Sequence, residues 1–420
     1  MNPELAVFAY PWDFESLGVV DTVSEIADLG VNRLTIAAAY HSIETITPRA
    51  RGAVHFTPEA NVAHLPLATG GFGAIAPRLG RLATERPDLF AELAESSSRR
   101  SVAMSAWTIG MHNSVLAQQH PGSAIVNCFG DHSSHYLCPA APDSAEYVTN
   151  LYDSIARTGY FDEIFLESLS YGLVGHGHPH ELWAVRLDPL QRWLLSLCFC
   201  DSCMRHADSD NIDVLRLRGW VRDYLSASWN TRTYYDQAPE DDSAAASVLL
   251  SNEALYRFSR MRCDVITELA GRIRGVIQVA NVRLNVASAV WVRPPSMNWM
   301  EGIDFVRLNG VTDRIAIMPY HADAAEVARD VAFALRHIPA DRLQVLQTVW
   351  AGQQPDSSAL QRKVQLAMKA GVASFGIYNY AAAPAAALET IRELAAELQA
   401  GPGGGGALEP TTDQKAGWDE

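Results

Sequence analysis

The segment RIAIMPYHADAAEVARDVAFALRHIPADRLQVLQTVWAGQQPDSSALQRKVQLAMKAGVASFGIY, residues 314–378, alternates two kinds of pattern. Arg314–Pro319, Leu343–Val349 and Ala373–Tyr378 are short apolar runs in which β-branched or aromatic residues recur. Runs of this kind predict strands buried on both faces, as in a parallel sheet. Between them, Ala324–His337 and Ser357–Ala370 carry apolar residues at helical spacing. The segment therefore reads strand, helix, strand, helix, strand.

The same alternation extends to the N-terminus. Leu5–Tyr10, Arg33–Ala38, Val102–Trp107, Glu163–Leu166 and Val282–Ala287 read as further strands, giving eight in all. Leu17, Val20, Val23, Ile26 and Leu29 mark a helix that Gly30 stops, and Ser144–Thr158, Leu255–Ile277 and Pro384–Ala400 read as helices. Eight strands alternating with helices predict a (β/α)8 TIM barrel of the α/β class. A doubly wound open sheet is the rival, but no GxGxxG follows the first strand. One barrel domain is expected over residues 1–400, with extended loops at 40–100 and 168–250, and a flexible glycine-rich tail over 401–420.

Composition narrows the function classes. With 48% hydrophobic and 19% charged residues the chain belongs with globular proteins rather than disordered ones. Its 33 basic residues face 48 acidic ones, a formal net charge of −15 that argues against nucleic acid as a partner. No apolar run reaches the roughly 18–20 residues a membrane helix needs. The N-terminal MNPELAVFAYPWDF lacks the pattern of a secretory signal, so a cytoplasmic location is expected. The sequence leaves open assembly into a homo-oligomer.

In a barrel the reaction lies at the C-terminal ends of the strands. Those ends are rich in aromatic, imidazole and carboxyl groups: Tyr10, Trp12 and Asp13; Tyr40 and His41; Trp107, His112 and Asn113, with Asp131 further along; Glu167; Trp291; Tyr320 and His321; Trp350; Tyr378. Trp and Tyr rings stack on sugar faces, polar groups hold hydroxyls, and two carboxyl groups cleave a glycosidic bond. A small carbohydrate or glycoside is the expected partner. Glu167 directly follows a strand buried on both faces, where desolvation raises a carboxyl toward the range of a general acid. Asp13, Asp131 and Glu181 are the candidates for the second carboxylate. Seven of the thirteen histidines fall between His112 and His180. His176, His178, His180 and Glu181 form a run that would bind sugar hydroxyls or, as a rival, a second divalent metal. Cys198, Cys200 and Cys203 stand at i, i+2 and i+5, a spacing that lets three thiolates converge on one tetrahedral ion with Cys138 or His206 as fourth ligand.

These motifs resemble glycoside hydrolase family 42, the β-galactosidase-type barrels. That resemblance implies a structural zinc held by Cys138, Cys198, Cys200 and Cys203, and Glu167 as general acid/base. Leu166 stands where the family has Asn, and the seventh strand ends in Gln347 where the family has its nucleophilic Glu. The wording FAYPWD, AAAYHS, LES and HGHPHE is also similar to an uncharacterised group of bacterial barrel proteins placed among the glycoside hydrolases. The expected activity is hydrolysis of a small glycoside (EC 3.2.1 type). A metal-dependent sugar isomerase or epimerase using Glu167, His178, His180 and Glu181 is one alternative, and a non-catalytic sugar-binding barrel is another.

Overall fold

A computed structural model describes residues 3–175, 185, 187–230, 243–288, 294–356 and 358–400. Eight parallel strands close on themselves: β1 (Glu4–Ala9), β2 (Arg33–Tyr40), β3 (Ala103–Ile109), β4 (Glu163–Glu167), β5 (Arg283–Ala287), β6 (Arg314–Ile317), β7 (Leu343–Thr348) and β8 (Ser374–Tyr378). β1 pairs with β2 on one side and with β8 on the other, which completes the (β/α)8 barrel. Helices α1 (Val19–Asp28), α2 (Leu89–Arg99), α3 (Pro142–Ala156), α4 (Glu253–Ile277), α5 (Phe305–Val311), α6 (Ala324–Ala334), α7 (Ala359–Lys369) and α8 (Ala385–Ala400) follow the strands in turn. Among the described residues no helix is long and apolar enough to cross a membrane.

The strands fall where the apolar runs lie, with small differences that have local causes. β1 stops at Ala9 because Pro11 opens a short helix, Pro11–Leu17, where its fixed φ suits the first helical position. The region 40–100 is not loop throughout, since α2 occupies its end. Leu89, Phe90, Leu93, Ser96 and Ser97 form the buried face of α2, and its serines and arginines hide that spacing in the sequence. The excursion after β4 contains helices Pro189–Leu195, Asp201–Ser209, Val214–Trp229 and Ser243–Ser251. The expected tail 401–420 lies outside the described residues.

Alternation along the strands sorts side chains into an inner and an outer set. Leu166 packs in the large apolar cluster with the surrounding helices, whereas Phe165 belongs to the cluster inside the barrel. There Phe8 meets Phe165 and Trp107 edge to face, with ring centroids 4.9 and 5.2 Å apart. Gly376 of β8 leaves room for this plug, because a Cβ would lie 2.5 Å from Leu346 and 3.0 Å from Phe8.

Below the plug the barrel is closed by charge. Arg314 reaches Glu4 at 2.6 Å and Glu163 at 3.1 Å, while Arg33 reaches Glu4 at 2.9 Å and Asp162 at 2.6 Å. Ser105, Asn285 and Gln344 add hydrogen bonds to this layer. Burial alone would raise the Glu4 carboxyl, but the Arg33 and Arg314 guanidiniums outweigh it and hold the group at about 2. Deleting one partner of such a network strands the others in a dry interior, so Arg314→Met should cost about 3–5 kcal/mol in urea unfolding at pH 7. The depressed carboxyl stabilises the fold above its ordinary 4.5, and this contribution is lost as pH falls toward 2. The cost of Arg314→Met should therefore shrink when the same melts are run at pH 3.5.

Candidate active site at the mouth of the barrel

Glu163, Phe165 and Glu167 lie two residues apart on the inward side of β4, so the strand that anchors the basal network also lifts a carboxyl to the open end. Gly110 and Met111 continue β3 alongside, donating to the carbonyls of Glu167 and Ser168 at 2.8 and 2.9 Å. Ser168 takes a left-handed φ of 58°, which turns the chain away immediately after Glu167. Glu167 as a whole keeps 8% of its surface. Trp107 Nε1 donates to Glu167 Oε2 at 2.7 Å. Burial raises the carboxyl to about 7 against the pull of that single N–H. A carboxyl titrating there carries a proton to give near neutral pH.

Aromatic rings surround it. Tyr10 stacks on Trp12 with centroids 4.4 Å apart, and its hydroxyl meets that of Tyr378 at 3.1 Å. Tyr40 lies 4.4 Å from Trp107, and Trp350 lies 5.4 Å from Tyr378 and 6.5 Å from Tyr320. The negative charge of Glu167 adds to burial in raising the phenols of Tyr40, Tyr320 and Tyr378, which places all three around one carboxylate. Trp350 is half exposed, the condition of a stacking platform open to solvent. His41 stacks between Tyr40 and His112, and His112 in turn stacks on Tyr136. Burial lowers the His41 imidazole to about 4, leaving it neutral at pH 7. Gly172 admits the Tyr136 ring, since a Cβ there would lie 2.3 Å from it.

Other sequence candidates are placed differently. Asn113 caps the helix Ser114–Gln119, its side chain accepting from Leu116 N at 2.9 Å. His321 turns to α6, its Nε2 2.7 Å from Asp330 and its Nδ1 3.4 Å from Glu326. Asp131 is exposed at the turn of the hairpin 124–137 and accepts from Asn127. Gln347 is buried and donates to the carbonyls of Pro319 and Leu346. His178, His180, Glu181 and Trp291 lie outside the described residues.

Asp13 sits in the first turn of Pro11–Leu17 and accepts from Tyr10 N at 2.8 Å. Burial lifts its carboxyl to about 7, although that N–H and Arg49 pull it down. It lines a cavity of about 490 Å³ together with Trp12, Phe56, Arg49 and His64. The sequence reading missed His64, whose position beside a short strand pairing with β2 is set by tertiary contact. It also missed Glu301, which is buried and accepts from Ser170 Oγ at 3.0 Å. Besides burial, the charges of Glu301 and Glu167 both raise the Tyr136 phenol, so both carboxylates lie within electrostatic reach of it.

A second constellation lies on the flank. Cys138 directly follows the hairpin strand His132–Leu137, and Cys198, Cys200 and Cys203 straddle the start of helix Asp201–Ser209. All four thiols are buried, with Sγ atoms within 4.8 Å of one another. Cys138 Sγ is 3.5–3.6 Å from the other three. A tetrahedron with metal–sulfur bonds of about 2.3 Å has edges of about 3.8 Å, so the cluster fits one thiophilic ion. His206 is exposed, and Cys138 takes the fourth corner.

No family model and no curated protein matches the chain. Solved structures do. The glycoside hydrolase domain of PgaB (BpsB) from Bordetella bronchiseptica aligns with a TM-score of 0.57 at 14% identity, covering 93% of this chain and 98% of that one. A β-galactosidase from Bacillus circulans sp. alkalophilus aligns at 0.58 and 12%, covering 96% of this chain and 56% of that one. The β-galactosidase of the psychrophilic Marinomonas ef1 gives 0.57 and 10%, covering 94% and 59%. The chain thus spans little more than half of each β-galactosidase, and at these identities the likeness is one of fold.

Trp107→Phe keeps the ring packing and removes the donor to Glu167. The carboxyl should then titrate above about 7, read by carbon-13 NMR of labelled glutamate.

Proposed function

We propose that the chain is a carbohydrate-active hydrolase that cleaves a small glycoside, with Glu167 as general acid/base. The observation that carries this reading is one buried carboxyl, raised to about 7, inside a ring of tyrosines and tryptophans at the strand ends. The neighbouring folds, drawn from glycoside hydrolases, support it. Trp12 and Trp350 would offer ring faces to the sugar, and His41 and His112 would meet its hydroxyls; Trp107, buried among Phe8, Tyr10, Tyr40 and Tyr378, would hold Glu167 instead of stacking on substrate. Among the described residues, Asp13 and Glu301 are buried carboxylates beyond the strand ends, whereas Asp330 of α6 is engaged by His321. Of the two we assign Glu301, whose charge reaches the Tyr136 phenol together with that of Glu167, as second carboxylate. Cys138, Cys198, Cys200 and Cys203 would hold a structural zinc, which ties the excursion after β4 to the hairpin after β3.

Gln347 favours a second reading, a sugar-binding barrel without turnover. A carboxamide at the end of β7 donates hydrogen bonds and cannot serve as a nucleophile. Turnover of a glycoside panel separates the two.

Glu167→Gln should lower kcat/KM by about 10²–10⁴-fold on any glycoside the protein cleaves, with little change in Tm. A general acid works while protonated, so wild-type activity should fall as pH rises through about 7. Cys200→Ser should lower Tm and release the bound metal, measured by plasma mass spectrometry on protein purified without chelator.

A further inference from the structure

Arg262 lies on the inward side of α4 with none of its surface exposed. Its Nε and both terminal nitrogens have no hydrogen-bond partner, and no ion pair reaches it among the described residues. Among the described residues its guanidinium lies over the ring of Tyr171, whose centroid is 4.4 Å from the guanidinium carbon, and its charge also reaches the neighbouring Cys263 thiol. A buried guanidinium without a counter-charge is strongly destabilising, so the fold must supply a negative charge nearby. The other edge of the same ring points to where that charge would be. Tyr171 Oη is 3.8 Å from Cys203 Sγ, at the four-cysteine cluster.

We propose that Arg262 is the charge-balancing cation of a thiolate–metal centre at Cys138, Cys198, Cys200 and Cys203. The inference rests on the proposed structural metal. A dication among four thiolates carries a net charge of about −2, in a pocket from which water is excluded. Metal binding releases the thiol protons to solvent. The guanidinium across the Tyr171 ring offsets the charge left behind. Close packing keeps it there, since a Cβ on Gly302 would stand 3.2 Å from Tyr171 and 3.1 Å from the Arg262 carbonyl. Arg262 is a positioning residue for the metal, acting through the field rather than as a ligand. The competing counter-charge is Glu301, whose carbonyl accepts from Tyr171 N at 2.9 Å.

The test is zinc affinity, measured on the full chain by competition with a chromophoric chelator, together with melting in the presence and absence of zinc. Arg262→Met should bind zinc about 10–100-fold more weakly than wild type, as outer partners of metal ligands generally do, while Glu301→Gln should bind it normally. In the Cys200→Ser background, where no tetrathiolate forms, Arg262→Met should raise Tm instead of lowering it, because it then removes an uncompensated charge. Should Arg262→Met fail to fold, Arg262→Lys carries the comparison and should retain zinc. Unchanged zinc affinity in Arg262→Met, a Lys variant that loses zinc as readily as Met, or an equal loss in Glu301→Gln would overturn the assignment. A wild-type chain that binds no zinc through its thiols would instead remove the metal centre itself.

Discussion

The inward side of β4 carries one constraint through the molecule: a closed barrel is filled by side chains, so a carboxyl inside it must be matched by a cation or be driven to take up a proton. At the base Glu163 is matched, by Arg314, Ser105 and Asn285. Two residues on, Phe165 fills the middle layer against Phe8. Two further on, Glu167 receives one N–H and no cation among the described residues, and its carboxyl rises to about 7. The contrast with Glu4, held at about 2 by two arginines, shows that burial does not fix a carboxyl's state; the partners within reach do.

Legibility in the sequence follows the range of the interaction that sets each feature. Strands buried on both faces announce themselves as apolar runs, and all eight lie where those runs lie. Strand ends are local too, which is why Glu167, Trp107, Tyr40 and Tyr378 could be named as a group. What the chain conceals depends on partners far away in sequence. Arg33 and Arg314 look like surface charges until the barrel closes and sets both against Glu4. Glu301 sits in an unremarked NWMEG stretch and gains meaning only beside Ser170. Asn113 and His321 illustrate the reverse. Their chemistry suits a sugar site, yet a helix cap and an α6 carboxylate engage them first.

The excursion after β4 links the mouth to the cysteines. From Glu167 the chain passes through Ser170, bonded to Glu301, to Tyr171, whose hydroxyl faces Cys203. The same few residues thus border the titrating carboxyl and the thiol cluster. A metal at the cysteines would fix the path of this segment and, with it, the distance between Glu167 and Glu301.

Fold likeness alone does not carry a mechanism across. The resemblance to family 42 implies a nucleophile at the end of β7, where this chain has Gln347 with its amide committed to Pro319 O and Leu346 O. A carboxamide in place of a carboxylate carries no negative charge with which to form the covalent link that the family's Glu makes. A hydrolytic reaction on this scaffold must therefore draw its second carboxylate from another strand end. Glu301, whose charge acts on the Tyr136 phenol together with that of Glu167, arrives from the loop after β5. The barrel allows this exchange because its strand ends converge on one mouth, and a group lost from one can be supplied by another.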